Sequence, residues 1–260
     1  MTMLQFDENS ARHLQRMYST PDVVRQRAEV LALLAAQPGE SVLDVGSGPG
    51  FLVASLAEAV GASGAVHGLD QSASMNTVAR DLLADRSWAT IDTGDASALP
   101  YPDRAFDAAV STQVYEYVAD VATALAELRR VLRPGGRALV LDTDWDSVVW
   151  HAADRDRHRR ITDAWEEHLV HPHLPGTLPG RLRRAGFRVT GRHLIPLFTP
   201  RYEQNTFSAL SMEMIGRFVV GRQGLTDAVV DGWLADLRGR GEEDEYLFSV
   251  NRYCFVAVAE

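Results

Sequence analysis

A doubly wound α/β sheet is the fold this 260-residue sequence predicts, on three observations. The stretch Ser41-Val-Leu-Asp-Val-Gly-Ser-Gly-Pro-Gly50 is a short apolar run that ends at an acid and breaks into alternating glycines. A buried parallel strand that turns sharply into a helix reads in this way. Between residues 38 and 145, strand-like runs alternate with helix-like stretches, which is the pattern of βαβ units on one sheet. Polar residues close the successive runs at Asp44, Asp70, Asp95, Ser111 and Asp142. Ligands on open parallel sheets bind beyond the carboxyl ends of the strands, so all five are expected to face one crevice.

Taken in order, residues 11–37 carry apolar positions at Leu14, Met17, Val24, Ala28, Leu31 and Leu34, and Pro21 divides them into two helices. Val42 to Val45 is the first strand, and Phe51 to Val60 is the helix after it. At the bend between them Gly46, Gly48 and Gly50 tolerate positive φ and let a ligand approach bare amides. The second strand is Ala65 to Asp70, and Ser72 is the N-cap of a helix running to about Ala84. Trp88 to Thr93 is the third strand, and Phe106 to Ser111 the fourth. Val118, Val121, Leu125, Leu128 and Leu132 then share one helix face, which Pro134-Gly-Gly136 ends. Arg137 to Asp142 is the fifth strand, Thr143 to Ser147 a loop at its end, and Asp154 to Leu169 a charged helix. Residues 187–198 and 246–258 supply two further strands. Between them, Thr199 to Asp244 holds Tyr202, Phe207, Leu210, Met212, Met214, Phe218 and Trp233 among polar residues. This composition fits a cap over an apolar small molecule, a structural helix pair or a homodimer interface.

Composition narrows the chemistry. An apolar fraction of 46% and a mean hydropathy of -0.14 suit a globular, cytoplasmic protein. No apolar run is long enough for a membrane span, and no basic stretch with an apolar core opens the chain. A net charge of -9 is a poor match for nucleic acid. Every base is arginine, which excludes Schiff-base chemistry and a Walker lysine. The single Cys254 excludes an internal disulfide or a multi-cysteine zinc site. No metal site is expected, since the histidines lack H-E-x-x-H spacing.

A dinucleotide site would place a third glycine where Phe51 stands, so a nicotinamide oxidoreductase is disfavoured. The arrangement G-x-G-x-G preceded by Asp44, with Asp70 one βαβ step later, resembles motifs I and II of the class I S-adenosylmethionine-dependent methyltransferases. The likeness is to their small-molecule branch, which includes the ubiquinone and menaquinone methyltransferases. Leu-Arg-Pro-Gly-Gly before an apolar strand, at residues 132–136, strengthens the resemblance, which covers residues 38–145.

This resemblance implies a Rossmann-like, seven-stranded, mostly parallel sheet with the last strand antiparallel, built from residues 38–198 and 245–260. Residues 1–37 would form a helical lid; residues 199–244 have no counterpart in a minimal fold of this kind and are read as a helical substrate cap from their composition. The resemblance implies S-adenosyl-L-methionine as cofactor, leaving as S-adenosyl-L-homocysteine, and in-line methyl transfer to an O, N or C nucleophile. The acceptor would be a small apolar or aromatic molecule, either a secondary metabolite or a quinone-like ring. A second reading keeps the bound cofactor but uses it without transfer, to promote a cyclisation or rearrangement.

Residue by residue, the cofactor is expected at Asp44, Gly46, Ser47, Gly48, Gly50, Asp70, Gln71 and Met75. Gly94, Asp95 and Ala96 are assigned to the adenine side, and Ser111, Thr112 and Gln113 to the end of the fourth strand. On the lid, Tyr18 offers an aromatic face to a sulfonium, while Arg27 and, less so, Arg25 offer guanidinium groups to a carboxylate. Tyr115, Tyr117, Trp145, Phe207, Met212 and Met214 are expected on the acceptor side. His151 is the first candidate base, followed by His171 and His173, with Asp144 beside them. Each histidine also reads as an ordinary surface or hydrogen-bonded residue.

Overall fold

The computed structural model describes residues 8–260; the first seven residues of the expected lid lie outside them. Helices α1 (Glu8–Tyr18) and α2 (Pro21–Leu34) meet at a turn where Pro21 opens α2, a position that needs no backbone N–H. The alternation then begins with β1 (Ser41–Val45), α3 (Phe51–Val60), β2 (Ala65–Asp70), α4 (Ala73–Leu82), β3 (Ala89–Thr93) and β4 (Phe106–Thr112). It continues through α5 (Val121–Val131), β5 (Leu132–Trp150), α6 (Arg155–Trp165), α7 (Leu178–Arg184), β6 (Phe187–Thr199), α8 (Phe207–Val219), α9 (Asp227–Glu242) and β7 (Phe248–Ala259).

The seven strands form one sheet in the order β3-β2-β1-β4-β5-β7-β6. Strands β1 to β5 pair in parallel, and β7 lies between β5 and β6, antiparallel to both. The order reverses between β1 and β4, the switch point at which such sheets open a crevice. One face packs Leu43, Val45 and Val140 against Leu125, Leu128 and Leu182 of α5 and α7. The other packs Val42, Val66 and Val110 against α2 and α3 through Val30, Leu34, Val53 and Leu56. A third cluster joins α1, α6, α8 and α9 over the far end of β5 and β7, around Trp150, Trp165, Trp233 and Phe248.

The fifth strand departs from the sequence reading. Thr143 to Ser147, expected as a loop, is part of β5, which runs 19 residues to Trp150. Pairing with β7 carries it on: Thr143 faces Arg252, Asp144 faces Asn251, and after a register shift Val149 faces Ser249. Ser147 stabilises the shifted segment, its Oγ accepting from Asn251 N at 2.9 Å and donating to Asp144 O at 2.5 Å. Pro134-Gly-Gly136 also lies within this strand rather than between helix and strand, and Gly135 there has φ +79°.

Residues 199–244 hold α8 and α9. Thr206 caps α8, its hydroxyl accepting from Ala209 N at 3.3 Å. Among the described residues, no helix is long and apolar enough to cross a membrane.

Candidate active site

A chamber of about 740 Å³ opens at the switch point, lined by residues of α1, α2, α3, α4 and α8 and by the strand ends. Its first wall is the glycine bend. Gly46, Gly48 and Gly50 have φ +73°, +51° and +83°. A Cβ on Gly46 would stand 2.2 Å from Val114 Cγ2, and one on Gly50 2.8 Å from Ala79 Cβ, so these two glycines let neighbouring elements close in. A Cβ on Gly48 would meet nothing within 4 Å, so this position is open to a ligand. Gly46 N and Ser47 N donate to Leu69 O at 2.7 and 3.0 Å, which ties the bend to β2.

Two acids, Asp44 and Asp70, stand at this wall, and a third, Asp95, lines the chamber beyond β3. Asp70 accepts from Gly48 N at 2.9 Å and from Ser72 N at 2.8 Å, so the end of β2 holds the bend in shape. Burial raises the Asp70 pKa, while those amide bonds oppose the rise. Asp44 is 1% exposed, and burial followed by the nearby Asp70 charge pushes it up to about 8. Its Oδ1 and the Ser47 Oγ are buried without a partner. Two orphaned polar atoms beside an open glycine fit a polar, cationic ligand pressed against the turn. Asp95, past β3, is exposed at the opposite edge of the chamber and accepts from Ser97 N at 2.7 Å.

The other end is apolar and aromatic, with Leu14, Met17, Tyr117, Trp145, Trp165, Phe207 and Met214 on its walls. Gln113, at the tip of β4, has φ +60°, an uncommon conformation for a residue with a side chain. Its Nε2 donates to Thr143 Oγ1 at 2.6 Å, and Asp142 Oδ1 accepts from Val114 N at 3.0 Å, which together fix the loop. Behind the wall, Glu116 is 1% exposed and accepts from Trp145 Nε1 at 3.2 Å. Burial pushes its carboxyl up to about 7. The hydroxyls of Tyr18 and Tyr117 are raised by burial as well.

The residues expected at the cofactor are mostly together. Tyr18, Arg27, Asp44, Gly46, Ser47, Gly48, Asp70, Gln71, Met75, Gly94, Asp95, Ala96, Thr112 and Gln113 line the chamber, as do Tyr117, Trp145, Phe207 and Met214 from the acceptor set. Arg27 Nη1 donates to Tyr18 O at 3.4 Å, and its guanidinium lies 5.1 Å from the Phe51 ring centroid. Arg25 is exposed. Gly50, Ser111, Tyr115, Asp142 and Met212 do not line the chamber. Gly50 backs onto α4, and Ser111, Tyr115, Asp142 and Met212 are buried behind the wall. Only Asp44, Asp70 and Asp95 of the five strand-end residues therefore face the crevice.

None of the candidate bases reaches the chamber. His151 is exposed, and its Nδ1 lies 2.8 Å from Glu245 O. His171 donates its backbone N–H to Glu116 O at 2.9 Å, and its ring does not line the cavity. His173 is exposed and pairs with Asp144 at 3.1 Å, with Asp146 3.6 Å away. In the extension of β5, Thr143, Asp144, Val149 and Trp150 pair with β7; Trp145 turns to the chamber, while Asp144 pairs with His173 and His151 lies beside Glu245 O outside it. Asp144, Asp146 and His173 could together hold a cation, but they form an outer-surface cluster of exposed or half-exposed side chains.

Sequence reasoning missed Met17, Val23, Gln26, Trp165 and Arg252, all of which line the chamber. Arg252 is in the middle of a strand-like run where a charge is unusual, and that was the available signal. Glu116 gave none, since an acid between two tyrosines also reads as an exposed turn residue.

Residues 43–140 match the family described as Methyltransferase domain. The chain is 38% identical over 178 residues to an uncharacterised 37.1 kDa protein in transposon Tn4556 of Streptomyces fradiae, covering 68% of this chain and 52% of that protein. It is 43% identical over 111 residues to the 2-phytyl-1,4-naphtoquinone methyltransferase of Synechococcus elongatus, covering 42% of this chain and 48% of that one. The chain thus spans about half the length of these curated relatives. The crystal structure of the cyclase SpnF superposes with a TM-score of 0.60 at 24% identity, covering 91% of this chain and 81% of that one, a likeness of fold alone.

Proposed function

This chain belongs to the class I S-adenosylmethionine-dependent methyltransferase family, and from that premise we propose that it methylates an O, N or C nucleophile of a small apolar or aromatic molecule. One observation carries the reading: a single chamber joins an acid-lined glycine bend to an aromatic end. The bend would hold the cofactor. Asp70 and the open space at the Gly48 Cα suit its ribose, Asp95 and Ala96 its adenine, and Asp44, Ser47, Tyr18 and Arg27 its amino-acid end. When bound, S-adenosylmethionine supplies an electrophilic methyl group.

The chain's own work is then alignment. Tyr117, Trp145, Trp165, Phe207 and Met214 would hold a flat apolar acceptor and exclude water. Orientation of this kind contributes roughly 7–11 kcal/mol to lowering a barrier, more than one general base commonly supplies. The absence of His151, His171 and His173 from the chamber wall fits a reaction driven by alignment. Residues 8–34 and the insertion that holds α8 serve as lid and cap in this reading. The quinone-type acceptor of the Synechococcus relative makes hydroxylated naphthoquinones a reasonable first panel.

A second reading takes the same acceptor end, with no histidine among its lining residues, as the site of a cyclisation, the kind of reaction in the fold neighbour's name. Incubation with methyl-labelled S-adenosylmethionine and the naphthoquinone panel separates the two. Label in an extracted product supports transfer; rearranged product formed equally with S-adenosylhomocysteine supports the cyclisation. Neither product from any acceptor, with the cofactor bound, removes quinone-like rings as substrates.

A further inference from the structure

We propose that Arg252 selects an aromatic acceptor bearing a carboxylate. This rests on the division of the chamber into cofactor and acceptor ends, and it adds a charge to the acceptor. Arg252 is 3% exposed, in the middle of β7, and lines the chamber among apolar and aromatic side chains. Its guanidinium lies against the Phe207 ring of the acceptor wall, with Gln26 and Tyr18 of the lid beside it.

The charge is under-compensated. Among the described residues its hydrogen bond runs from Nη1 to Gln26 Oε1, and its Nε is buried with no partner. The guanidinium lies 4.7 Å from the Phe207 ring centroid. Among the described residues no carboxylate forms an ion pair with it. Its acidic neighbours are engaged elsewhere: Asp22 accepts from Phe207 N at 2.9 Å and Val23 N at 3.1 Å, and Glu116 from Trp145. Burial lowers the Arg252 pKa, but a guanidinium remains charged in a protein.

A buried charge with most of its donors unused is costly unless something completes it. With Nε buried and one Nη1 hydrogen given to Gln26, the remaining Nη hydrogens are the donors that suit a carboxylate through charge-assisted hydrogen bonds. Phe207 beneath and the tryptophans around it would hold the ring that carries this group.

The test titrates the full-length protein, with and without S-adenosylhomocysteine, with 1-naphthoate and with the isosteric neutral 1-naphthamide. Naphthoate is expected to bind at least about tenfold more tightly to the wild type. Arg252→Met should bring the two probes to within about twofold, and Arg252→Lys should keep part of the preference. Equal binding of the probes to the wild type overturns the proposal, as does a preference that survives in Arg252→Met. Should Arg252→Met not fold, the wild-type and Arg252→Lys titrations decide alone. S-adenosylhomocysteine affinity should be similar in wild type and variants. Its absence in the wild type would instead sink the cofactor reading, leaving the naphthoate result legible without it.

Discussion

Gly48 and Gly50 stand two residues apart with similar backbones, yet the space around them assigns different tasks. A side chain on Gly48 enters open chamber, while one on Gly50 enters α4. Gly48→Val should therefore abolish cofactor binding in calorimetry while costing only about 1–2 kcal/mol of left-handed strain. Gly50→Ala should show the larger loss in thermal midpoint, because Ala79 cannot yield without moving its helix. Asp44 and Glu116 make a pH signature. Both have folded pKa values raised by burial, to about 8 and about 7. Each contributes stability that is full below its unfolded pKa and is lost as pH rises through the folded one. The thermal midpoint of the ligand-free protein should fall as pH rises from roughly 4 to 8 and level off above that, and Asp44→Asn with Glu116→Gln should flatten the fall. His151→Gln should leave turnover unchanged across pH, since the ring lies outside the chamber; a drop in rate at unaltered cofactor affinity would contradict that placement.

At the scale of elements, the lid and the insertion are joined at one buried acid, beside a contact of His13 with Leu210 O and one of Ser211 with Met17. Asp22, at the start of α2, accepts from the Phe207 amide that opens α8, at 2.9 Å. Asp22→Ala leaves that buried N–H unpaired, a loss of about 1–3 kcal/mol, and should speed amide exchange in α1 and α8 while β1 to β4 stay protected. Equal protection in both would mean that the two helices are held by their other contacts. The βαβ elements were legible because their signals are local: Pro21, the glycine bend, and the Ser72 cap, whose Oγ accepts from Met75 N. The course of β5 was not. Thr143 to Ser147 reads as polar loop, and only pairing with residues a hundred positions away keeps it in strand. His151, just past that strand, lies beside Glu245 O outside the site. Arg252 of β7 and Gln26 of α2, 226 residues apart in sequence, meet only because α2 packs on the sheet.

Over the whole molecule, three apolar clusters surround the chamber: two flank the sheet, and the third closes its far end. The cofactor end could be read from sequence because one bend and two neighbouring strand tips build it. The acceptor end draws on α1, α2, α6, α8, β5 and β7: Tyr117, Trp145, Phe207 and Met214 were expected there from sequence, whereas Trp165 and Arg252 required the fold. The central claim is that this bend binds the adenosyl cofactor. Titration calorimetry of the full-length protein with S-adenosylhomocysteine tests it most directly, on wild type and on Asp70→Ala. The account predicts saturable one-to-one binding that the substitution weakens by about tenfold or more, because a charged hydrogen-bond acceptor is lost. Absence of binding to the wild type, or equal affinity in both proteins, would contradict it.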